Sequence, residues 1–456
     1  MGALEPQAGE DVVEAEGLVL APGFIDTHSH HDIGLADHPQ ALAAITQGVT
    51  TIVVGQDGGS NSPLGDYFAS LEESPPAVNI ASFTGHGTVR RTVMGADYRR
   101  PSTAKEGERM LYLLAREMAA GSLGLSSGLG YDPGIYASTD ELIALAQATG
   151  HLGGRYITHI RSEDRDLWNA LDEAIRIGSE AGIAVHISHL KLGMRRLWGK
   201  AGRLLHRLDA ARADGVDISA DVYPYPYWQS TMTILFPDRN FRSPEAARYA
   251  LEELATPEGI TLARFGPEPA YIGLTLAEIA EIRASDPGPT LIALFAEARA
   301  YERETGLDGE SVLVWSMDQG DVDRLLAWDH TNVGSDGALG GRHPRGFGTF
   351  PRFFARLGPR NSGGMSLELA VHKMSGLAAV HMGIDGRGVI RPGAAADLVL
   401  FDPAEIEDRA TPEHPHRIAR GIRRVWVNGT VVWNGKRWTG ARPGKAIRGP
   451  GFRSTD

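Results

Sequence analysis

Short apolar runs that end on polar residues alternate with helical stretches along most of this chain, and that alternation restricts its fold. Val49-Thr-Thr-Ile-Val-Val, Leu123 to Ser126, Tyr156-Ile-Thr-His, Ile183-Ala-Val-His-Ile-Ser-His and Val216 to Val222 read as strands. Glu106 to Ala120, Glu141 to Thr149, Leu167 to Ala181 and Ala201 to Ala213 read as the helices between them. Strands joined by helical crossovers pair in parallel. With 456 residues the chain has the length to close such a sheet into a (β/α)₈ TIM-like barrel with smaller parts attached. The rhythm breaks at Phe236 to Gly309, which is long, rich in helix formers and carries several prolines, so an insertion around 236–310, an excursion from the barrel, is expected. From about Gly386 strands and turns dominate, with a hairpin signal at Asn428-Gly429. The expected organisation is a barrel over 21–385 and a small β-sandwich domain built from 1–20 and 386–456.

Composition narrows the chemistry. The formal charge is -12, from 57 acidic and 45 basic residues. A diffusely acidic surface repels nucleic acid and anionic lipid, so neither is an expected partner. There is no cysteine, which removes disulfides, thiolate nucleophiles and zinc-thiolate sites together. Any metal must therefore sit on His, Asp or Glu. Met1 to Glu16 shows no basic segment followed by an apolar one, and no run reaches the length of a membrane span. A cytoplasmic protein is the expectation; the oligomeric state is not legible.

The polar residues at the strand ends carry the functional argument. His28 and His30 flank Ser29, and residues two apart on a strand share a face. His159 and His189 each close an apolar run, and Asp336 lies in Asn332-Val-Gly-Ser-Asp-Gly, another strand end. Active sites of such barrels are built at the C-terminal ends of the strands. One strand-end histidine is usually a structural hydrogen-bonder, and one aspartate before glycine an ordinary turn residue. Four histidines and an aspartate at successive strand ends form a much more specific set.

That set resembles the signature of the amidohydrolase superfamily. Gly128-Leu-Gly-Tyr-Asp-Pro-Gly, Thr158-His-Ile-Arg-Ser-Glu, Ile187-Ser-His-Leu-Lys, Asp221-Val-Tyr-Pro-Tyr, Gly334-Ser-Asp-Gly and His343-Pro-Arg-Gly-Phe-Gly resemble the D-aminoacylase (N-acyl-D-amino-acid deacylase) family in particular. The resemblance implies a hydrolase that cuts the amide of a small-molecule N-acyl-D-amino acid. Its cofactor would be a divalent metal, zinc before others, as one or two ions. It implies His28 and His30 at one metal position, His159 and His189 at the other, and Asp336 as catalytic acid and base. Lys191, Tyr223 and Ser230 would hold the substrate carboxylate, with Tyr131 facing the substrate carbonyl.

Two departures stand out. Where the family has a bridging Cys in a Gly-Asn-Cys-Gly stretch, this chain has Gly55-Gln-Asp-Gly. Asp57 thus becomes the expected bridging metal ligand, a harder donor than thiolate; the alternative is a turn residue before Gly58. Family members also carry several strands before the position of Gly17, so the small β domain is expected to be shortened. A cyclic amidase of the hydantoinase or dihydroorotase kind is the main rival, although no lysine is placed for its carbamylated bridge. A degenerate, non-catalytic barrel is the other. Arg161 and Glu163 fit either a salt bridge or support of the site, His86 either the site or a backbone contact, and His31, His38, His372 and His381 a structural or surface place.

Overall fold

The computed structural model of the chain describes residues 12–15 and 17–453; the reading of Met1 to Glu16 falls mostly outside them. The barrel is built from β1 (Phe24–Asp26), β2 (Val49–Val54), β3 (Asn79–Ser82, resuming as Thr84–Gly85), β4 (Gly124–Gly128), β5 (Arg155–His159), β6 (Val185–Ile187), β7 (Ile218–Val222) and β8 (Thr331–Val333). Each pairs in parallel with the next, in two runs that meet at β3. The break in β3 is spanned by Phe83 N–H donating to Val54 O (3.0 Å) and Leu123 N–H donating to Ser82 O (2.9 Å). The other seam closes beyond the strand ends, through a parallel bridge between Ser29 and Gly337 and the bond from Asp336 N–H to His28 O (2.7 Å). The segments that carry His28 and Asp336 are therefore hydrogen-bonded to each other.

Local chemistry explains the elements. β2 is Val-Thr-Thr-Ile-Val-Val, β-branched throughout and buried at every position, as a strand covered on both faces should be. The helix Ala104–Ala119 opens on a Thr103–Glu106 capping box, and Leu167–Ala181 stops at Gly182 in the left-handed conformation (φ 62°). β3 has no counterpart in the sequence reading, because Ala77-Val-Asn-Ile-Ala-Ser is short and polar residues interrupt its apolar character.

Between β7 and β8 the chain leaves the barrel. Tyr227–Ser230 and Ile260–Phe265 both pair antiparallel with Glu310–Trp315, forming a three-stranded sheet. Helices Pro244–Tyr249, Leu276–Ile282 and Pro287–Thr305 accompany it. The two ends of the described chain meet in a four-stranded antiparallel sheet ordered Val19–Pro22, Leu398–Phe401, Ile422–Val427 and Thr430–Trp433. Asn428-Gly429 makes its last turn, with φ of 49° and 82°. Phe401 packs on Phe24 and Phe354, at ring separations of 6.1 and 5.3 Å, which fixes this sheet to the barrel. Buried Asp397 adds a polar tie by accepting from Asn79 Nδ2 (3.0 Å) and Asn428 N–H (2.7 Å). Among the described residues no helix is long and apolar enough to cross a membrane.

Candidate metal centre

The strand ends bring His28, His30, Asp57, His159, His189 and Asp336 to one place. Their ligand atoms form two groups, His28–His30–Asp57–Asp336 and Asp57–His159–His189, with Asp57 common to both. Asp57 Oδ1 lies 3.5 Å from His28 Nε2 and 3.3 Å from His189 Nε2, and Oδ2 lies 3.4 Å from His30 Nε2. Asp336 Oδ1 lies 3.7 Å from His28 Nε2 and 3.3 Å from His30 Nε2. His159 Nδ1 is 3.1 Å from His189 Nε2.

Most of these separations are too long for good hydrogen bonds. Both ring nitrogens of His28, and Asp57 Oδ1, are buried without a hydrogen-bond partner among the described residues. Such orphans carry a free-energy cost unless something else satisfies them. A divalent ion with bonds of about 2.0–2.2 Å holds neighbouring N and O ligands roughly 3–3.5 Å apart, the spacing seen here. The donor set therefore fits a metal. Without one, the charges pair internally: burial alone would lower His30, but Asp336 and Asp57 raise it to about 9. A bound cation replaces such protons.

Asp57, His189 and Asp336 all have left-handed backbone, with φ of 53°, 35° and 49°. Non-glycine residues adopt it rarely, and clustering at one site marks strain held by the surroundings. Those surroundings are visible. A Cβ on Gly128 would come 2.0 Å from Asp57 O, and one on Gly130 would come 2.7 Å from His159 Nε2. The glycines of Gly128-Leu-Gly thus let the loop after β4 back directly onto two ligand residues. On the other side, Asp26 accepts from Ser335 N–H (2.8 Å) and Ser335 Oγ (2.5 Å), fixing the loop that presents Asp336.

The residues expected to meet substrate surround this cluster. Lys191 Nζ lies 2.5 Å from Glu163 Oε1 and 2.8 Å from His189 Nδ1. Tyr223 Oη is buried without a partner among the described residues, and its ring lies under Arg345 at 4.8 Å. Tyr131 sets its ring 4.5 Å from that of His159, tilted by 46°, and places its hydroxyl 3.4 Å from Ser230 Oγ. Tyr131 and Ser230 line a cavity of about 620 Å³ with His30, Asp336 and Arg345. Gly130 and Trp228 line another of about 610 Å³ with His159, Glu163 and Lys191. The Tyr131–Ser230 contact thus lies at the seam between two chambers.

Arg345, Glu163 and Asp221 also stand against the cluster. Arg345 ion-pairs with Asp336 Oδ2 (2.7 Å), and His343 Nδ1 accepts Arg345 N–H (3.0 Å) at the start of helix Arg345–Leu357. Burial alone would raise the Asp336 carboxyl, but Arg345 and the histidines hold it well below the usual range. Glu163 Oε1 lies 3.0 Å from His189 Nδ1, which directs Nε2 of that ring toward Asp57. Asp221 is fully buried behind His28. Arg345 and Asp221 stand in motifs quoted above, and a charge inside a barrel strand was the available signal for Asp221.

The remaining candidates stand outside the two ligand groups. Arg161 makes a bidentate pair with Glu173 and bonds to Ile135 O and Ala137 O, a structural tie. His31 is buried, His38 and His372 are exposed, and His381 bonds Asn332 through Nδ1 (2.6 Å). His86 Nε2 meets Glu141 Oε1 at 2.8 Å, and Arg90 and Ser102 hold the other oxygen. Burial would raise Glu141, but His86, Ser102 and Arg90 bring it down to about 2, below its ordinary 4.5. The folded state therefore binds that proton less well, and the stabilisation is present above pH 4.5 and lost toward pH 2. In denaturant unfolding, the gap between wild type and Glu141→Gln should be on the order of 3 kcal/mol at pH 7 and shrink below pH 5. A gap independent of pH would contradict this.

The sequence matches the amidohydrolase family over residues 11–248 and 327–433. The chain belongs to that family. It is 37% identical to an N-acyl-D-aspartate deacylase of Alcaligenes xylosoxydans xylosoxydans, over 98% of this chain and 88% of the relative. It is 36% identical to a D-aminoacylase of the same organism, over 98% and 91%. The crystal structure of an N-acyl-D-glutamate deacylase from Bordetella bronchiseptica, complexed with zinc and a phosphonate mimic of the tetrahedral intermediate, superimposes with a TM-score of 0.84. That protein is 32% identical, with 95% of this chain and 90% of the other aligned.

Proposed function

We propose that the chain hydrolyses the amide bond of N-acyl-D-amino acids, releasing a carboxylic acid and a free D-amino acid, with a divalent metal ion as cofactor and zinc as the first choice. The observation that carries this reading is the pair of ligand groups sharing Asp57, with Asp336 at one side and Lys191 at the other. The deacylases among its relatives and the zinc-containing structural neighbour support it.

His28 and His30 would hold one metal position, His159 and His189 the other, and Asp57 both. When bound, the ion supplies Lewis acidity, polarising a carbonyl and lowering the pKa of water. Asp336 takes the proton of the attacking water and passes it to the departing nitrogen. Its Oδ2 is engaged by Arg345, which fixes the carboxylate and leaves Oδ1, facing His28 and His30, to handle the proton. Arg345 also weakens Asp336 as a base and strengthens it as an acid, which suits protonation of a poor amine leaving group. Lys191 and the unpartnered Tyr223 hydroxyl anchor the substrate α-carboxylate. With that carboxylate and the carbonyl both fixed, the side chain and the α-hydrogen have one arrangement each, and chirality is read.

The test is a panel of N-acetyl-D- and N-acetyl-L-amino acids, with hydantoins beside them, on protein loaded with zinc, manganese or cobalt. Turnover of D substrates over L is expected; turnover of hydantoins alone, or of nothing, would overturn the reading. Lys191→Met should raise KM for these substrates about 10- to 100-fold, the worth of one charged hydrogen bond. An N-acyl amine without the carboxylate should lose far less between wild type and variant.

A further inference from the structure

We propose that the preferred substrate carries a second carboxylate on its side chain, as N-acyl derivatives of D-glutamate and D-aspartate do, and that Arg239 receives it. The inference deepens the deacylase reading above and depends on it.

A substrate held at Lys191 by its α-carboxylate has its side chain on the same carbon, beside the chamber of about 610 Å³ that Lys191 lines. Four cations stand in the wall of that chamber: Arg161, Arg165, Lys191 and Arg239. Three are bonded to carboxylates. Arg161 takes both oxygens of Glu173 at 2.8 Å, Arg165 Nη1 meets Asp238 Oδ2 at 2.9 Å, and Lys191 meets Glu163. Arg239 directs its guanidinium at main-chain carbonyls instead, Nη1 to Thr233 O (3.1 Å) and Nη2 to Gly130 O (2.5 Å). Asp132 Oδ1 stands 3.9 Å from its Nε, beyond hydrogen-bond distance, and that Nε is buried without a partner among the described residues. Asp164, an acid of the same wall, accepts from Ser162 Oγ within its own turn. Carbonyl dipoles satisfy N–H groups but leave a full positive charge unbalanced, which is costly where water is scarce.

The position of Arg239 is tightly held. Its backbone is left-handed (φ 57°), fixed by its own N–H donating to Phe236 O at 2.8 Å. Strain of this kind in a non-glycine residue collects at functional sites. Its partner Gly130 is the residue on which a Cβ would come 2.7 Å from His159 Nε2, so the guanidinium is bonded to the loop that rests on a candidate ligand. Its side chain is 17% exposed, and Nη2, with one bond, keeps a second N–H for a ligand. A guanidinium matches a carboxylate in both shape and charge.

The chamber of about 620 Å³ is different. Its arginines are all neutralised: Arg264 by Asp308 (2.7 Å), Arg299 by Glu310 (2.9 Å) and Arg345 by Asp336 (2.7 Å). The unbalanced charge therefore lies on the Lys191 side, and the acyl group on the other side is expected to be neutral.

The experiment measures kcat and KM of metal-loaded wild type, Arg239→Met and Arg239→Lys on the N-acetyl derivatives of D-glutamate, D-aspartate, D-glutamine, D-asparagine and D-leucine. In wild type at least one acid should exceed its own amide about ten-fold or more in kcat/KM. Arg239→Met should lose about 10- to 100-fold on the acids, mainly through KM, and less than about three-fold on the amides and leucine. Arg239→Lys, which keeps the charge, should retain part of the preference. Amides or leucine favoured by wild type would overturn the proposal. So would an equal loss on every substrate in both variants, which would make Arg239 only a tie for its loop. If Arg239→Met does not fold, the wild-type ratios and Arg239→Lys decide in the same way. N-succinyl-D-leucine should be no better than N-acetyl-D-leucine; a ten-fold gain would put the free charge in the other chamber and overturn the assignment. No turnover of any D substrate would overturn the deacylase reading itself.

Discussion

Asp336→Asn is expected to lower kcat by about 10²- to 10⁴-fold while the protein still takes up metal. Asparagine has the same shape, tolerates the left-handed backbone, and keeps an oxygen where Oδ1 faces His28 and His30. It cannot accept and return a proton, and it gives up the ion pair with Arg345. The loss should therefore fall on turnover more than on KM. The measurement is kcat per bound metal ion, with metal content determined on the same sample. Turnover within a factor of ten of wild type in a metal-loaded preparation would remove Asp336 from the reaction.

Asp57→Asn should have a comparably large effect by another route. It neutralises the one carboxylate common to both ligand groups, so metal stoichiometry and activity should fall together, activity by about 100-fold or more. Asparagine is the informative choice because alanine would add backbone strain at φ 53°. Asp57→Cys asks the converse question. A thiolate at the shared position favours zinc over magnesium and manganese. Competition titrations should show zinc binding more selectively to Asp57→Cys than to wild type. Two ions bound to Asp57→Asn at wild-type affinity would mean that Asp57 is only a turn residue.

Much of this was legible in the sequence, for a physical reason. A barrel strand buried on both faces is an apolar run, and its C-terminal end is where polarity returns. That transition put His159 and Asp336 at strand ends, and only the set of four histidines and an aspartate made them candidates. The same logic gave the barrel class and most of its helices. Asp57 needed the resemblance to a family, because Gly55-Gln-Asp-Gly reads equally well as a turn. β3 escaped because it is short and broken at Phe83. The sheet between β7 and β8 escaped because its central strand, Glu310–Trp315, pairs with segments some 50 and 80 residues earlier, and nothing local announces such pairings. Arg345, Glu163 and Asp221 were visible as letters, but their roles are relations in space. Arg345 reaches Asp336 across a loop, and Asp221 faces a histidine that precedes it by nearly two hundred residues.

The seam between the two chambers has a consequence for how such a protein diversifies. Tyr131 follows a barrel strand, whereas Ser230 ends the first strand of the segment inserted between β7 and β8, which also supplies Trp228, Ile234 and Leu254 to one chamber and Arg299 and Glu310 to the other. None of the six candidate ligands comes from that segment. The molecule therefore divides into a reaction frame and an inserted selector, which meet at the Tyr131–Ser230 hydroxyl pair and at Gln229, whose oxygens accept from His343 N–H and Arg345. Exchange of the selector can change which acyl group and which side chain are admitted while the frame goes on cutting the same bond.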